Sequence, residues 1–180
     1  MTIDVGTGDG RAVLAAALRE PDVLALGLDA NAAAMVEASR RAARPARKGG
    51  LENARFVLAA AEALPPELAA RADLVTVRFP WGSLLRGCLG FDPLVAAGLG
   101  ALVAPDGAIE LLLAPADRDG LNGLPTSAEG LAAAAAGAFE RQGFVVCEAR
   151  AATFEEIDAS RSTWARRLRR SATLVRLARR

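Results

Sequence analysis

The sequence contains no histidine, and its two cysteines, Cys88 and Cys147, lie far apart. The missing histidine removes the commonest general base and the commonest metal ligand in proteins. It also excludes catalytic Ser–His and Cys–His pairs, and the cysteines do not have the spacing of a metal site. We therefore expect a protein without a bound metal, whose chemistry needs little acid–base assistance.

Long apolar runs are also missing. Although 52% of the residues are hydrophobic, no stretch reaches the length of a membrane span, and the first residues predict a strand rather than a secretory leader. The two cysteines suit a reducing compartment as ordinary thiols. A chain of 180 residues is long enough for one α/β domain with a substantial core. The sequence thus predicts a single cytoplasmic domain over residues 1–180.

The most informative segment is residues 2–10, TIDVGTGDG. It predicts a short strand, a glycine-rich turn and a helix from about Arg11, because glycine lets the backbone bend sharply and approach a ligand closely. The spacing G-x-G-x-G is tighter than the dinucleotide-binding spacing G-x-G-x-x-G, whose last position here is Arg11. With an acid before the first glycine, it favours the S-adenosylmethionine (SAM) form of the nucleotide turn. The alternative is a plain strand-to-helix turn in another α/β protein.

Strands and helices alternate along the chain, which predicts a parallel sheet with helices on both faces. Predicted strands are residues 1–5, 23–28, 54–59, 73–79, 108–113, 144–148 and 172–177, and predicted helices are residues 10–19, 32–44, 93–103 and 128–142. Residues 105–107 predict a turn, and residues 117–126 a loop. The last two strands lack a helix long enough for a crossover, so the seventh is expected to run antiparallel. The expected fold is α/β, the seven-stranded, mainly parallel sheet of Rossmann-like class I SAM-dependent methyltransferases, with an antiparallel last strand.

Three carboxylates lie at or just after the ends of predicted strands, at the sheet edge where open parallel sheets bind ligands. Asp4 is placed to orient the glycine turn or the amino end of a ligand. Asp29 follows Gly10 by about the twenty residues expected of an acid that binds ribose hydroxyls; alternatively, it caps the next helix. Glu62 is placed to lie near an adenine ring, and the alternative is an acid in a surface loop.

The chain has only two tryptophans, Trp81 and Trp164. Trp81 stands between proline and glycine, directly after the fourth predicted strand. An exposed tryptophan can stack an unpaired base, which is worth about 1–3 kcal/mol, and two tryptophans can enclose one flipped base. The alternative is that each tryptophan fills a gap beneath a loop.

Positive charge is concentrated in two stretches, although the formal net charge is only +1. Almost every basic residue is arginine, whose planar fork matches phosphate oxygens and stacks on bases. The pattern favours a nucleic-acid partner; the alternative is a set of solvated helix faces in an arginine-biased protein. The two stretches are Arg40, Arg41, Arg44, Arg47 and Lys48, and then Arg161, Arg166, Arg167, Arg169, Arg170, Arg176, Arg179 and Arg180.

The chain resembles the 16S ribosomal RNA adenine-1408 N1-methyltransferases, the aminoglycoside-resistance enzymes of the Kam/Npm type. The specific parts of the resemblance are FPWGSLL at residues 79–85 and STWARRL at residues 162–168. The glycine turn, IDVGTGDGR at residues 3–11, is shared by many methyltransferases. The other matching runs are GLDA at 27–30, KGGL at 48–51 and AAAEALP at 59–65.

This resemblance implies SAM as the methyl donor and 16S rRNA in the 30S ribosomal subunit as the substrate. The residues implied to hold SAM are Asp4, Gly6, Thr7, Gly8, Asp29, Ala30, Ala61 and Glu62. The residues implied to enclose the flipped adenine are Trp81 and Trp164, with Phe79, Pro80 and Ser162 shaping the catalytic pocket. The residues implied to grip rRNA phosphates are Arg47, Lys48, Arg166, Arg167, Arg169 and Arg170. A monomer is expected, because a ribosomal target needs one large docking face.

Adenine N1 carries a lone pair at neutral pH, so its attack on a sulfonium methyl group needs no base, in agreement with a chain that lacks histidine. Three alternatives stay open. One is another SAM-dependent RNA methyltransferase of the tRNA guanine-N7 type, although the Phe-Pro-Asp-Pro-Trp segment of that type is absent. A small-molecule methyltransferase is disfavoured by the arginine-rich tail. The third is a catalytically weak SAM- or RNA-binding module, since the resembling enzymes usually carry an extension before the glycine-turn strand and a longer stretch before the last strand.

Overall fold

The computed structural model describes residues 1–115, 123–161 and 172–180. Seven strands form one sheet in the order β3-β2-β1-β4-β5-β7-β6. Strands β1 to β5 pair in parallel, whereas β7 runs antiparallel between β5 and β6. The predicted α/β fold with an antiparallel last strand is therefore confirmed. The strands are β1 (Thr2–Val5), β2 (Ala25–Asp29), β3 (Ala54–Leu58), β4 (Ala72–Arg78), β5 (Val103–Leu113), β6 (Phe144–Ala151) and β7 (Thr173–Arg179).

The helices begin and end where the sequence supplies capping groups. The Asn31 side chain accepts a hydrogen bond at the start of α2, and Asp92 does the same at the start of α4, ahead of a proline in the first turn. The α5 segment ends through a 3₁₀ turn at Gly143, whose φ of 78° is the left-handed cap that the sequence predicts. The helices are α1 (Arg11–Arg19), α2 (Ala32–Ala42), α3 (Gly82–Cys88), α4 (Pro93–Leu102), α5 (Ala128–Phe139) and α6 (Phe154–Ala159).

The sheet is buried on both faces, which explains why its central strands are nearly continuous apolar runs. The larger core packs the central strands against α3, α4 and α5, with Val75, Leu99 and Phe139 fully buried. A smaller core packs α1 and α2 against the other face, around Val13 and Ala38. Within the described ranges, no single helix is long and apolar enough to cross a membrane; α3 and α4 reach that measure only as a pair bent by 78°.

The predicted turn at residues 105–107 is wrong. These residues lie inside β5, where Val103 pairs with Ala72 and Ala108 pairs with Leu74, so the extra residues form a bulge and the ladder continues on both sides. A bulge tolerates a proline, because the missing N–H is not needed by the neighbouring strand. Two short helices, α3 and α6, were not predicted. Most of the loop predicted at residues 117–126 lies outside the part of the chain that the structure describes.

Candidate active site

A cavity of about 530 Å³ opens at the carboxyl ends of β1, β2, β3 and β4. The strand order reverses between β1 and β4, which is the point where open α/β sheets bind their ligands. Each of the four strands contributes the segment that follows it, so the walls come from four separate parts of the sequence. The volume lies within the range of ordinary small-molecule sites, roughly 300–1,000 Å³.

The glycine turn forms one wall of this cavity. Gly6, Gly8 and Gly10 have φ values of 72°, 57° and 70°, a left-handed conformation that other residues adopt only at a cost. A Cβ built on Gly8 would meet nothing within 4 Å, so its side faces open space. The hydroxyl of Thr7 is buried and has no hydrogen-bond partner among the described residues. An orphaned polar group of this kind is often completed by a bound molecule.

The carboxylate of Asp29 is fixed against the turn by two backbone groups. Its Oδ2 accepts a hydrogen bond from the Gly8 N–H at 2.7 Å, and its Oδ1 accepts one from the Asn31 N–H at 2.8 Å. The capping residue of α2 is Asn31, whose side chain accepts from Ala33, so Asp29 is not the helix cap. A carboxylate has about four acceptor sites, and the remaining ones can receive a pair of vicinal hydroxyls at the cavity wall.

Asp4 is buried on the floor of the cavity and pairs with the end of β4. Its Oδ1 accepts hydrogen bonds from the Thr76 hydroxyl at 2.7 Å and from Arg78 Nη1 at 2.5 Å. Asp4 and Thr76 are register partners on adjacent strands, and Arg78 projects from the same side of β4 two residues later. The contacts of Asp4 in the described chain thus reach β4 rather than the glycine turn. Arg78 is a cavity residue that sequence reasoning missed.

The segment after β4 presents Trp81 at the mouth of the cavity. Phe79 has a φ of 49°, unusual for a non-glycine residue, and its N–H donates to the Leu112 carbonyl at 2.8 Å. Trp81 stands at the start of α3, lines the cavity and is 74% exposed. An indole with this exposure does not fill a gap beneath a loop, so that alternative is wrong for Trp81. The exposed ring is available for stacking.

All the SAM residues implied by the resemblance line this single cavity, together with the three residues that begin the FPWG segment. They are Asp4, Gly6, Thr7, Gly8, Asp29, Ala30, Ala61 and Glu62, with Phe79, Pro80 and Trp81. Glu62 is exposed in the turn after β3. Sequence reasoning missed several other lining residues, among them Asn31, Ala34, Ser83, Leu84 and Ser160. Ser160 lies directly after α6, and no sequence signal marked it.

Two of the predicted rRNA-binding residues, Arg47 and Lys48, are not among the described residues that line the cavity. Arg47 and Lys48 lie in an exposed 3₁₀ turn, Ala46–Lys48, between α2 and β3. The other predicted residues of the late box and tail lie outside the described residues: Ser162, Trp164, Arg166, Arg167, Arg169 and Arg170. Of the two tryptophans predicted to enclose a base, the structure therefore places only Trp81, which lines the cavity.

Comparisons with family models and with curated proteins identify the same family. The family model NpmA, described as 16S rRNA (adenine(1408)-N(1))-methyltransferase, matches residues 1–179. A protein of the same description from Streptoalloteichus hindustanus is 39% identical over 180 residues, which cover 95% of this chain and 81% of that protein.

Solved structures extend the likeness to the whole fold. A tryptophan-to-alanine variant of the 16S rRNA (adenine(1408)-N(1))-methyltransferase from Catenulisporales acidiphilia, crystallised with cosubstrate SAM, aligns with a TM-score of 0.86 at 31% identity, covering 99% of this chain and 84% of that one. The aminoglycoside-resistance methyltransferase NpmB1 aligns with a TM-score of 0.81 at 38% identity, covering 99% and 86%. The chain belongs to the family of 16S rRNA (adenine(1408)-N(1))-methyltransferases.

Proposed function

We propose that this protein transfers a methyl group from SAM to N1 of adenine 1408 in 16S rRNA of the 30S subunit, and so gives resistance to aminoglycosides. The observation that carries the proposal is the cavity itself. It joins a glycine turn and a backbone-anchored carboxylate, suited to a nucleoside, to an exposed tryptophan, suited to a base. The names of the relatives supply the reaction and the target position.

The residues of the cavity fit SAM. Asp29 is the acceptor for the ribose hydroxyls, because its two backbone bonds hold it in place and leave acceptor sites unused. Ala61 and Glu62, in the turn after β3, form the wall for the adenine end. Gly8 leaves open space where any other residue would place a side chain. When bound, SAM supplies a sulfonium methyl group that the N1 lone pair takes as the carbon–sulfur bond breaks, with no proton transfer.

The protein's own contribution is positioning. The ring of Trp81 offers a stacking face at the cavity mouth, which holds the target base and compensates part of the cost of flipping it. The backbone before Trp81 is anchored by the hydrogen bond from the Phe79 N–H to the Leu112 carbonyl in the neighbouring strand. This bond helps to fix the position of the indole beside the cavity. Alignment of the reacting atoms can account for a large part of a methyl-transfer rate, because it replaces a bimolecular encounter.

We further propose the wider setting of the reaction. Arg47 and Lys48 lie in an exposed turn and would contact rRNA phosphates. Trp164, with Ser162, would cover the second face of the base. The arginines proposed to add phosphate contacts are Arg166, Arg167, Arg169 and Arg170. The chain would act as one domain over residues 1–180, as a monomer, in the cytoplasm, where 30S subunits are found.

The test is methyl transfer to purified 30S subunits. The protein is incubated with 30S and tritium-labelled SAM, and the rRNA is then copied by reverse transcriptase, which stops where an N1 methyl group blocks base pairing. We expect about one methyl group per subunit and a stop at position 1408. Asp29→Asn should reduce the rate strongly, whereas Asp106→Asn, an exposed carboxylate in the β5 bulge, is the matched control and should not. No incorporation, or a stop at another position, would contradict the proposal.

A further inference from the structure

The charged groups on the described lining of the cavity are mostly negative. Among the described residues that line it, Arg78 is the only cation, beside four carboxylates. The carboxylates are Asp4, Asp9, Asp29 and Glu62. SAM carries its own carboxylate at its amino-acid end, next to an ammonium group. An anion entering this cavity needs a concentrated set of donors to offset the repulsion from four like charges.

The first three amides of the glycine turn do not supply those donors. In phosphate-binding turns, backbone N–H groups point at the ligand. Here the N–H groups of Gly6 and Thr7 both donate to the Leu28 carbonyl, at 2.8 and 3.0 Å. The N–H of Gly8 donates to Asp29. These three amides at the cavity wall already donate to protein acceptors, so they are not available to a carboxylate of the ligand.

Arg78 has the required donors. It is the last residue of β4, at the strand-order reversal, and its side chain is 22% exposed. Its Nη1 is held by Asp4 and by the Thr76 hydroxyl, at 2.5 and 2.9 Å, which fixes the plane of the guanidinium. Within the described residues no protein acceptor engages its Nε or Nη2. A guanidinium carries five N–H donors, so the remaining ones match a carboxylate.

We propose that Arg78 binds the carboxylate of the amino-acid end of SAM, and that the neighbouring Asp4 faces the ammonium group. This inference rests on the proposed function, because it takes SAM as the cosubstrate. The Asp4–Arg78 ion pair then matches the zwitterionic amino-acid end of SAM, with Arg78 opposite the carboxylate and Asp4 opposite the ammonium group. Asp29, on the β2 side, and Arg78, on the β4 side, would hold opposite ends of the same molecule.

The test compares ligands that differ only at that end. Isothermal titration calorimetry gives the Kd of S-adenosylhomocysteine, which keeps the amino-acid end, and of 5′-methylthioadenosine, which lacks it. Arg78→Met should weaken S-adenosylhomocysteine binding on the order of tenfold or more, since a charge-assisted bond is lost. It should leave methylthioadenosine within about twofold of wild type, by the same argument. Arg86→Met, on exposed α3 surface beside Phe91, is the matched control and should change neither value.

A second arm uses the wild-type protein alone, so it does not depend on the folding of a variant that leaves Asp4 unpaired. Decarboxylated SAM keeps the ammonium group but not the carboxylate, and it should bind wild type on the order of tenfold more weakly than SAM. Equal affinity of the two ligands would overturn the inference. So would an Arg78→Met variant that binds S-adenosylhomocysteine normally, or one that loses both ligands equally. Failure of wild type to bind S-adenosylhomocysteine at all would instead contradict the proposed function.

Discussion

Replacing Trp81 by alanine tests whether this residue binds the target base without contributing to the binding of SAM. The indole is 74% exposed and stands at the mouth of the cavity. Because so little of its surface is buried in the free protein, its loss should change the free energy of unfolding by less than about 0.5 kcal/mol. We therefore expect Trp81→Ala to weaken the interaction with RNA and to leave the stability of the free protein almost unchanged.

The size of that effect follows from stacking. A base stacked on an aromatic ring gains about 1–3 kcal/mol, and each 1.36 kcal/mol of transition-state stabilisation is a factor of ten in rate. Trp81→Ala should thus lower kcat/KM for 30S methylation roughly 5- to 150-fold. Trp81→Phe should retain a large part of the activity, since it keeps a flat aromatic face. The Kd for SAM should remain near the wild-type value in both variants.

Methylation rates are measured with tritium-labelled SAM and 30S subunits, and SAM binding by calorimetry. Phe154→Ala is the matched control, because Phe154 is 79% exposed and begins α6 outside the cavity; its removal should leave the rate unchanged. Wild-type methylation by Trp81→Ala would refute the stacking role. A parallel loss of SAM affinity would show that the indole is a wall of the cosubstrate site instead.

Three further outcomes concern stability. Gly10→Ala should destabilise the protein by about 1–3 kcal/mol in urea unfolding, because a Cβ there would lie 2.5 Å from the Phe56 ring at a φ of 70°; an unchanged midpoint would contradict the packing described. Gly137→Ala, inside α5 with nothing within 4 Å of the new Cβ, should stabilise by about 0.5–1 kcal/mol in the same assay, and a lower midpoint would count against it. The hydrogen bonds from Arg150 lower the pKa of Glu156 to about 2 from 4.5. The ionised Glu156 therefore stabilises the folded protein fully above pH 4.5, and this contribution is lost as the pH falls toward 2. Glu156→Gln should flatten the pH dependence of Tm in that window, and an unaltered profile would refute the assignment.

Much of the fold could be predicted because it rests on local patterns. Alternating strands and helices indicate a parallel sheet, and the lack of a predicted crossover helix before the last strand indicates an antiparallel neighbour, as β7 shows. The SAM residues implied by the resemblance come to one cavity for a simple reason. The carboxyl ends of parallel strands share one edge, so segments far apart in sequence, such as those around Gly8, Asp29 and Trp81, meet there.

The remaining features depend on tertiary contacts that leave little trace in sequence. Arg78 reaches Asp4 only because β1 and β4 are neighbours in one particular register. The α3 and α6 helices are seven and six residues long, too short to show a clear periodicity, and such helices depend on packing and capping. The proline and glycine at residues 105–107 are typical of turns, yet here the ladder resumes beyond them as a bulged strand.

The most direct measurement places the methyl group on the RNA. 30S subunits carrying either the natural adenine or a guanine at position 1408 are incubated with the protein and SAM, and the rRNA fragment is digested to nucleosides for mass spectrometry. We expect N1-methyladenosine from the adenine subunits and no methyl group added to the guanine subunits, since guanine N1 carries a proton in place of the attacking lone pair. Equal methylation of both subunits, or methyl transfer confined to another position, would contradict this expectation.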